Sequence, residues 1–314
     1  MVEWFKNPNY NFIGNRNKAF VFSAILMLIT IASMVVPIYP GRGVGLNLAI
    51  DFTGGTVVQL KFANPVAGEL GKIRQIAGGL GYGKPEVKTI GLEGDNEVQI
   101  LIKRQKDPMV FVDGVKAALQ RDYAENPFET RRVESVGPKV GSELGRAAFI
   151  SVVLSLLVII VYVGARFSFP FGLAGVIALA HDVMVPIGLF SVLNMEITLP
   201  FIAALLTIAG YSINDTIVIF DRIRENMGES ISRASFADKV NTAVNQTLSR
   251  TVITSSTSLL CVLAVAVLFF GSGDVVFDFS LALFAGFISG VYSTVFIASP
   301  IVVLWNNRWP IKRI

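Results

Sequence analysis

The stretch AGYSINDTIVIF, Ala209–Phe220, is apolar enough to cross a membrane and yet carries an acid, Asp215. Holding an ionised carboxylate at mid-helix in hydrocarbon costs roughly 2.5–3.5 kcal/mol even on the most lenient scales. A chain keeps such a group where it faces a bundle interior, a partner or a water-filled path. Asp215 is therefore the first candidate for a proton or ion site, and Arg250, at the foot of the next apolar run, is its natural counter-charge. Removal from water opposes the charged carboxylate and a nearby guanidinium favours it. A small change in their separation can then switch the proton on or off. The competing account is a static ion pair that locks two helices together.

Around Asp215 the helix is broadly polar. Ser212, Asp215 and Thr216 share one face, and Thr207, Tyr211 and Asn214 share the adjoining one. Gly210 allows close approach of another helix. The run after Arg250, TVITSSTSLL, is dense in hydroxyls, which suit a hydrated path or close helix packing. His181, the only histidine, and Asp182 lie near the middle of a further apolar run, where a structural hydrogen-bonding role and a proton-relay role are both open to them. One histidine with no HxxxH spacing and no supporting cysteine predicts no metal site, and no motif predicts a bound cofactor.

Composition agrees with a membrane chain. Of 314 residues, 53% are hydrophobic and 16% charged, with a mean hydropathy of +0.60; soluble domains carry about 25% charged residues. The pI of about 9.2 does not indicate nucleic acid, because the basic residues form no aromatic-laced stripe. Cys261, the single cysteine, lies within an apolar run and reads as an inert core residue.

Six spans are expected: Ala19–Tyr39, Ala147–Gly164, Pro170–Leu193, Leu199–Phe220, Thr251–Phe270 and Phe279–Trp305. The first lacks a small-x-small cleavage site and reads as an uncleaved anchor. Lys6, Arg16 and Lys18, then Arg166, then Arg222, Arg224, Arg233, Lys239 and Arg250, and finally Arg308, Lys312 and Arg313 all fall on one side of these spans. The short loops opposite hold only Glu196, Asp274 and Asp278. Both termini are therefore expected in the cytoplasm, and the long segment after the first span is expected outside.

That segment sets three expected regions: 1–39, the cytoplasmic N-terminus and first helix; 40–146, an exported α+β domain; and 147–314, the remaining five helices with a cytoplasmic amphipathic loop at 221–249. Within the exported domain, Val44–Ile50 and Thr56–Phe62 read as strands joined through Asp51–Gly55, DFTGG. Gly68–Leu80 and Phe111–Tyr123 read as helices, Glu86–Ile90 and Glu97–Ile102 as a strand pair turning at Glu93–Asn96, and Phe128–Val136 as a last strand. This order contains a ferredoxin-like sandwich. The fold class is thus a membrane all-α bundle of six transmembrane helices with an exported α+β ferredoxin-like domain inserted between helices 1 and 2. DFTGG, with Asp51, Gly54 and Gly55, reads as a docking turn or a partner contact; it is not a dinucleotide fingerprint. Gly137, Pro138 and Gly141 read as a joint to the second span, as a hinge or a fixed bend.

Four motifs together, DFTGG at 51–55, ESVGPKVGSEL at 134–144, GYSINDTIVIFDRIRE at 210–225 and TLSRTVITSSTSL at 247–259, resemble the bacterial SecF family within the resistance-nodulation-division superfamily. The resemblance covers nearly the whole chain. It implies a multi-pass protein of the bacterial inner membrane, partnered by SecD and associated with the SecYEG channel and a small accessory membrane subunit. It further implies that the proton-motive force drives assistance to unfolded preproteins emerging on the far side. The resemblance implies too that the ATP-driven push comes from SecA and that the chain itself is no enzyme. The family links the aspartate of GYSINDT and the arginine of LSRT to proton transport, and these fall on Asp215 and Arg250. Two rival classes stand beside it: a passive assembly subunit, and a subunit of a small-molecule exporter of the same superfamily.

Overall fold

The structure is a computed structural model that describes residues 5, 8–36, 45–66, 68–91, 94–103, 108–228 and 234–311. The end of the first expected span at 37–39, the start of the expected strand at Val44, Glu93 of the expected turn, residues 229–233 of the connecting loop, and the charges of Lys6, Arg233, Lys312 and Arg313 lie outside the described residues.

Among the described residues, six helices are long and apolar enough to cross a membrane. They are α1 (Arg16–Val35), α5 (Pro138–Arg166), α6 (Phe169–Leu193), α7 (Leu199–Gly228), α8 (Phe236–Leu268) and α9 (Val275–Ser293). The last continues through a π-helical turn, Thr294–Ala298, into α10 (Ser299–Arg308). The turn widens where Pro300 cannot donate to the carbonyl one turn back. Buried residues of α1 are small or hydroxylic, Ala19, Ser23, Thr30 and Ser33, and Thr30 fits against Gly188 of α6 so closely that a Cβ there has no room. The outward faces of α5 and α8 are apolar and exposed, including Phe149, Leu154, Val161, Leu260 and Val267.

Between α1 and α5 lies the sheet domain. It comprises the single turn α2 (Ile50–Thr53), β1 (Gly55–Phe62), α3 (Leu70–Gly78), β2 (Glu86–Ile90), β3 (Glu97–Lys103), α4 (Pro108–Asp122) and β4 (Phe128–Val136). The strands form one antiparallel sheet in the order β2-β3-β1-β4, the β-α-β-β-α-β arrangement of a ferredoxin-like sandwich. Alternation sorts the faces. Val58 and Leu60 of β1, with Ile100 and Ile102 of β3, pack against Ile73 of α3 and Phe111, Val115 and Leu119 of α4. Val57 and Leu101, on the other face, pack with Ile50.

One expectation is corrected. The stretch expected to be a strand at Val44–Ile50 forms none over its described part. Leu48 makes an isolated parallel bridge to Ile197, and the backbone pairs with the α6–α7 connection (Ala49 N to Ile197 O, 3.0 Å; Ile197 N to Asn47 O, 2.7 Å). Those groups are spent on the bundle, so no ladder to β1 remains for them. The amphipathic stretch at 221–249 is helical over most of its described residues, continuous with α7 to Gly228 and with α8 from Phe236. Ile223, Val240, Ala243 and Val244 continue the apolar core beyond the hydrophobic runs, and a reciprocal Ser235–Asp238 capping box starts α8.

The sheet domain is seated on one end of the bundle. Lys88 and Lys103 reach Glu196 at 3.7 and 4.0 Å, and Gly91 N donates to Ser272 O at 2.6 Å. At the DFTGG turn, Gly54 has φ 71 and Gly55 φ 153. A Cβ on Gly54 would stand 2.8 Å from Pro138 Cα, and one on Gly141 would stand 2.8 Å from Gly54 N. Gly137 is the N-cap of α5, Pro138 opens it, and Gly141 lies in its first turns.

Candidate functional site: two carboxylates inside the bundle

Two acids occupy neighbouring positions in the helix packing. Asp215 projects from α7 towards α8, where it accepts a hydrogen bond from Ser255 Oγ at 3.1 Å. One turn earlier, Tyr211 Oη donates to Thr254 O at 3.0 Å and to Ser258 Oγ at 2.9 Å. The α7–α8 seam is thus polar along successive turns. Asp215 is partly buried and, among the described residues, makes no ion pair. Arg250 is exposed and acts on Asp215 only through space. The reason is helical geometry: Ser255, which meets the carboxylate, lies five residues beyond Arg250, about 7.5 Å along the axis and well over a third of a turn around it. Thr247, Thr251 and Ser255 form the buried face of α8, and Thr251 Oγ1 has no hydrogen-bond partner.

The second acid, Asp182 of α6, has 0% exposure and the most complete set of donors. Ser212 Oγ and Ser293 Oγ donate to its Oδ2 at 2.6 and 2.7 Å, and Ser289 Oγ donates to Oδ1 at 2.7 Å. His181 Nδ1 lies 3.4 Å from Oδ1 and 3.2 Å from Ser289 Oγ. Asp182 therefore ties α6 to α7 through Ser212 and to α9 through Ser289 and Ser293. Pro186, inside α6, cannot donate to the Asp182 carbonyl one turn back, which loosens the backbone at the same level. Below this knot, Thr216 Oγ1 and Thr294 Oγ1 meet at 2.9 Å.

The residues singled out in the sequence divide into three groups. Ser212, His181 and Asp182 come together. Asp215 meets α8 without touching Arg250. Asn214 and Gly210 are exposed on α7. Asp51 reaches the site indirectly: its Oδ2 accepts from Leu199 N at 2.9 Å, so the acid of DFTGG caps the helix that carries both Ser212 and Asp215. Ser289 and Ser293 were not anticipated. Their signal is the i, i+4 spacing on the face that also bears Gly286 and Gly290, where Ser212 packs 3.1 Å from the position of a Cβ on Gly290. Among the described residues no cluster of three or more histidine, cysteine or acidic side chains is placed to hold a metal ion.

Comparison with known proteins bears on the whole chain. Residues 115–308 match the family described as "Protein export membrane protein SecD/SecF, C-terminal", and residues 43–66 match the "SecD/SecF GG Motif". The second match contains Gly54 and Gly55. The chain is 38% identical over 302 residues to the protein translocase subunit SecF of Desulfurispirillum indicum, covering 95% of this chain and 92% of that protein. It is 36% identical over 314 residues to that of Thermodesulfovibrio yellowstonii, covering both completely. Among solved structures, SecDF from Thermus thermophilus, described as a translocon-associated membrane protein, superposes with a TM-score of 0.80 at 36% identity. That match covers 98% of this chain and 40% of the SecDF chain.

Proposed function

The chain belongs to the SecF family of protein-export membrane proteins, and from that membership we propose that it couples proton entry at Asp215 to the handling of preproteins by the Sec machinery. Its partner is a SecD-type subunit. The support is twofold: the chain corresponds to only 40% of the SecDF chain it superposes on, and it carries polar groups where a lone bundle would meet lipid. Asn214 of α7 and Arg250 of α8 are exposed, and such polar groups left in hydrocarbon are strongly disfavoured. A second bundle closing over α7 and α8 would cover them and seal Asp215 between the two subunits.

The orientation follows the positive charges: both termini in the cytoplasm of a bacterial cell and the sheet domain outside. In the cycle we envisage, the ionised Asp215 accepts from Ser255 and is drawn towards Arg250. Protonation removes that attraction and frees α7 to shift against α8. Because Asp51 caps α7 from the sheet domain, a shift of α7 is passed directly to that domain, which holds and releases the emerging chain. One charge moved through 100 mV supplies about 2.3 kcal/mol, and one unit of pH difference adds about 1.4 kcal/mol, so a few protons match contacts of ordinary strength. The wider partners in this reading are the SecYEG channel, its small accessory subunit and, indirectly, SecA.

The observation that carries the proposal is the Asp215–Ser255 contact: an acid within a membrane helix, hydrogen-bonded across a helix seam at 3.1 Å and with no ion-pair partner among the described residues. The test is translocation of a preprotein into inner-membrane vesicles containing this chain and its SecD-type partner. Stimulation by an imposed proton gradient should vanish in Asp215→Asn while SecA-driven transport with ATP persists. Undiminished stimulation in that variant would reject the reading.

A further inference from the structure

We propose that His181 and Asp182 form a second proton-binding unit of the bundle, which takes up and releases one proton at His181 Nε2. It rests on the proton-coupled reading above, and adds to it a site distinct from Asp215.

The argument begins with bonding capacity. Asp182 is fully buried, and both its oxygens accept from serine hydroxyls. Serine donors lower the cost of a buried carboxylate without supplying a charge, and a charge left uncompensated in a dry interior is expensive. Among the described residues the sole ion-pair partner of Asp182 is His181. The imidazole is 6% exposed, presents Nδ1 to Asp182 and Ser289, and leaves Nε2 buried with no hydrogen-bond partner. Nε2 is thus a buried titratable nitrogen of the cluster with no partner among the described residues. With the proton on Nδ1, the Nε2 lone pair is free. Uptake forms an N–H bond at Nε2 and converts the imidazole to imidazolium, which pairs with the Asp182 carboxylate; release breaks that bond and returns the lone pair.

His181 lines a groove of about 340 Å³ between α1, α6 and the segment around the π turn, walled by Phe20, Met27, Ile177 and Ile301. Ser23, on the same wall, hydrogen-bonds Tyr292 Oη at 2.9 Å, and the Tyr292 ring lies 5.8 Å from the His181 ring. The groups facing the pair are therefore Ser212 from α7, Ser289, Ser293 and the Tyr292 phenol from α9, and Ser23 from α1. Beyond the pair itself, these are four hydroxyls of serine and one phenol, and none carries a formal charge at neutral pH. Asp215, three residues beyond Ser212, is the next carboxylate on α7. Ser212 makes the link between the two acids mechanical, since a change of charge at His181–Asp182 alters the grip of α6 on the helix that carries Asp215.

His181 is the only histidine of the chain, which makes the site directly visible. The full chain, labelled with 15N-histidine and purified through a tag without histidine, is reconstituted in lipid vesicles with its unlabelled SecD-type partner. Nitrogen resonances are then followed as pH is lowered. The expected result is conversion of a neutral imidazole to imidazolium in the wild type, with at least a tenfold loss of the imidazolium signal in Asp182→Asn. If that variant does not assemble, Ser293→Ala keeps the carboxylate and removes one donor, and should increase the imidazolium fraction. A resonance that stays neutral across the range in which the complex is folded overturns the proposal, as does an imidazolium signal indifferent to both variants. Proton flux in Asp215→Asn reports separately on the reading beneath it: a silent His181 with flux lost in Asp215→Asn removes the second site alone, while flux surviving in Asp215→Asn removes the coupling reading whatever His181 does.

Discussion

Asp215 and Arg250 stand on adjoining helices without forming an ion pair, and the acid is held by Ser255 Oγ at 3.1 Å. A guanidinium locked in a two-pronged grip would oppose protonation of its partner. A hydroxyl does so weakly and can turn away. Losing the Ser255 donor leaves a partly buried acceptor unsatisfied, at a cost of about 1–3 kcal/mol. Ser255→Ala should therefore change proton flux several-fold without unfolding the chain, as read by vesicle pH measurements beside a thermal melt.

Because Arg250 acts through space, its charge should matter more than its fork of donors. Arg250→Lys is expected to retain most proton flux and Arg250→Gln to lose it. Equal losses in the two variants would mean that guanidinium geometry is required, through contacts made only in the complex.

The knot at Asp182 carries stability. Replacing it by alanine removes the acceptor shared by Ser212, Ser289 and Ser293 in the interior, and a buried polar group left unpaired costs about 1–3 kcal/mol. Asp182→Ala should lower the thermal midpoint of the detergent-solubilised chain markedly. Ser212→Ala, which removes one of three donors, should lower it by much less.

At the seam between the sheet domain and α5, magnitudes decide a sign. Gly to Ala inside a helix gains about 1 kcal/mol from propensity. At Gly141 the new methyl would sit 2.8 Å from Gly54 N and 3.1 Å from the Phe52 carbonyl, and overpacking against backbone costs about 1–3 kcal/mol. Gly141→Ala should therefore loosen the α2 turn from α5, seen as faster hydrogen exchange at Ile50–Gly55, with the sheet core unchanged.

Asp51 provides a test of transmission. Removing its cap on Leu199 costs about 1 kcal/mol, too little to unfold the chain. Asp51→Ala is expected to keep proton flux and lose gradient-stimulated translocation, measured in the same vesicles.

Much of this arrangement was legible in the sequence, for physical reasons that also mark its limits. Apolar runs announce spans, but they do not announce where helices continue into water. The continuation of α7 to Gly228 and the start of α8 at Phe236 go with Ile223 and Val240 joining one buried cluster, a tertiary fact. Alternation in Thr56–Phe62 identified β1, whereas Val44–Ile50 looked equally extended and was drawn to the bundle through Ile197. Asp215 stood out because an acid in hydrocarbon is costly. Asp182 stood out too, yet its three serine donors come from two other helices, and serines in α9 carry no local sign of whom they meet. The Asp215–Arg250 pairing suggested by charge alone missed the rotation of five residues that turns Arg250 outward.

The central claim is that Asp215 takes and releases a proton as part of the protein's work. The direct measurement is acidification of vesicles containing the chain and its SecD-type partner, under an imposed membrane potential, for the wild type and Asp215→Asn. The account predicts flux in the wild type and background leakage in the variant, with both assembled to the same extent. Equal flux from the two would contradict it.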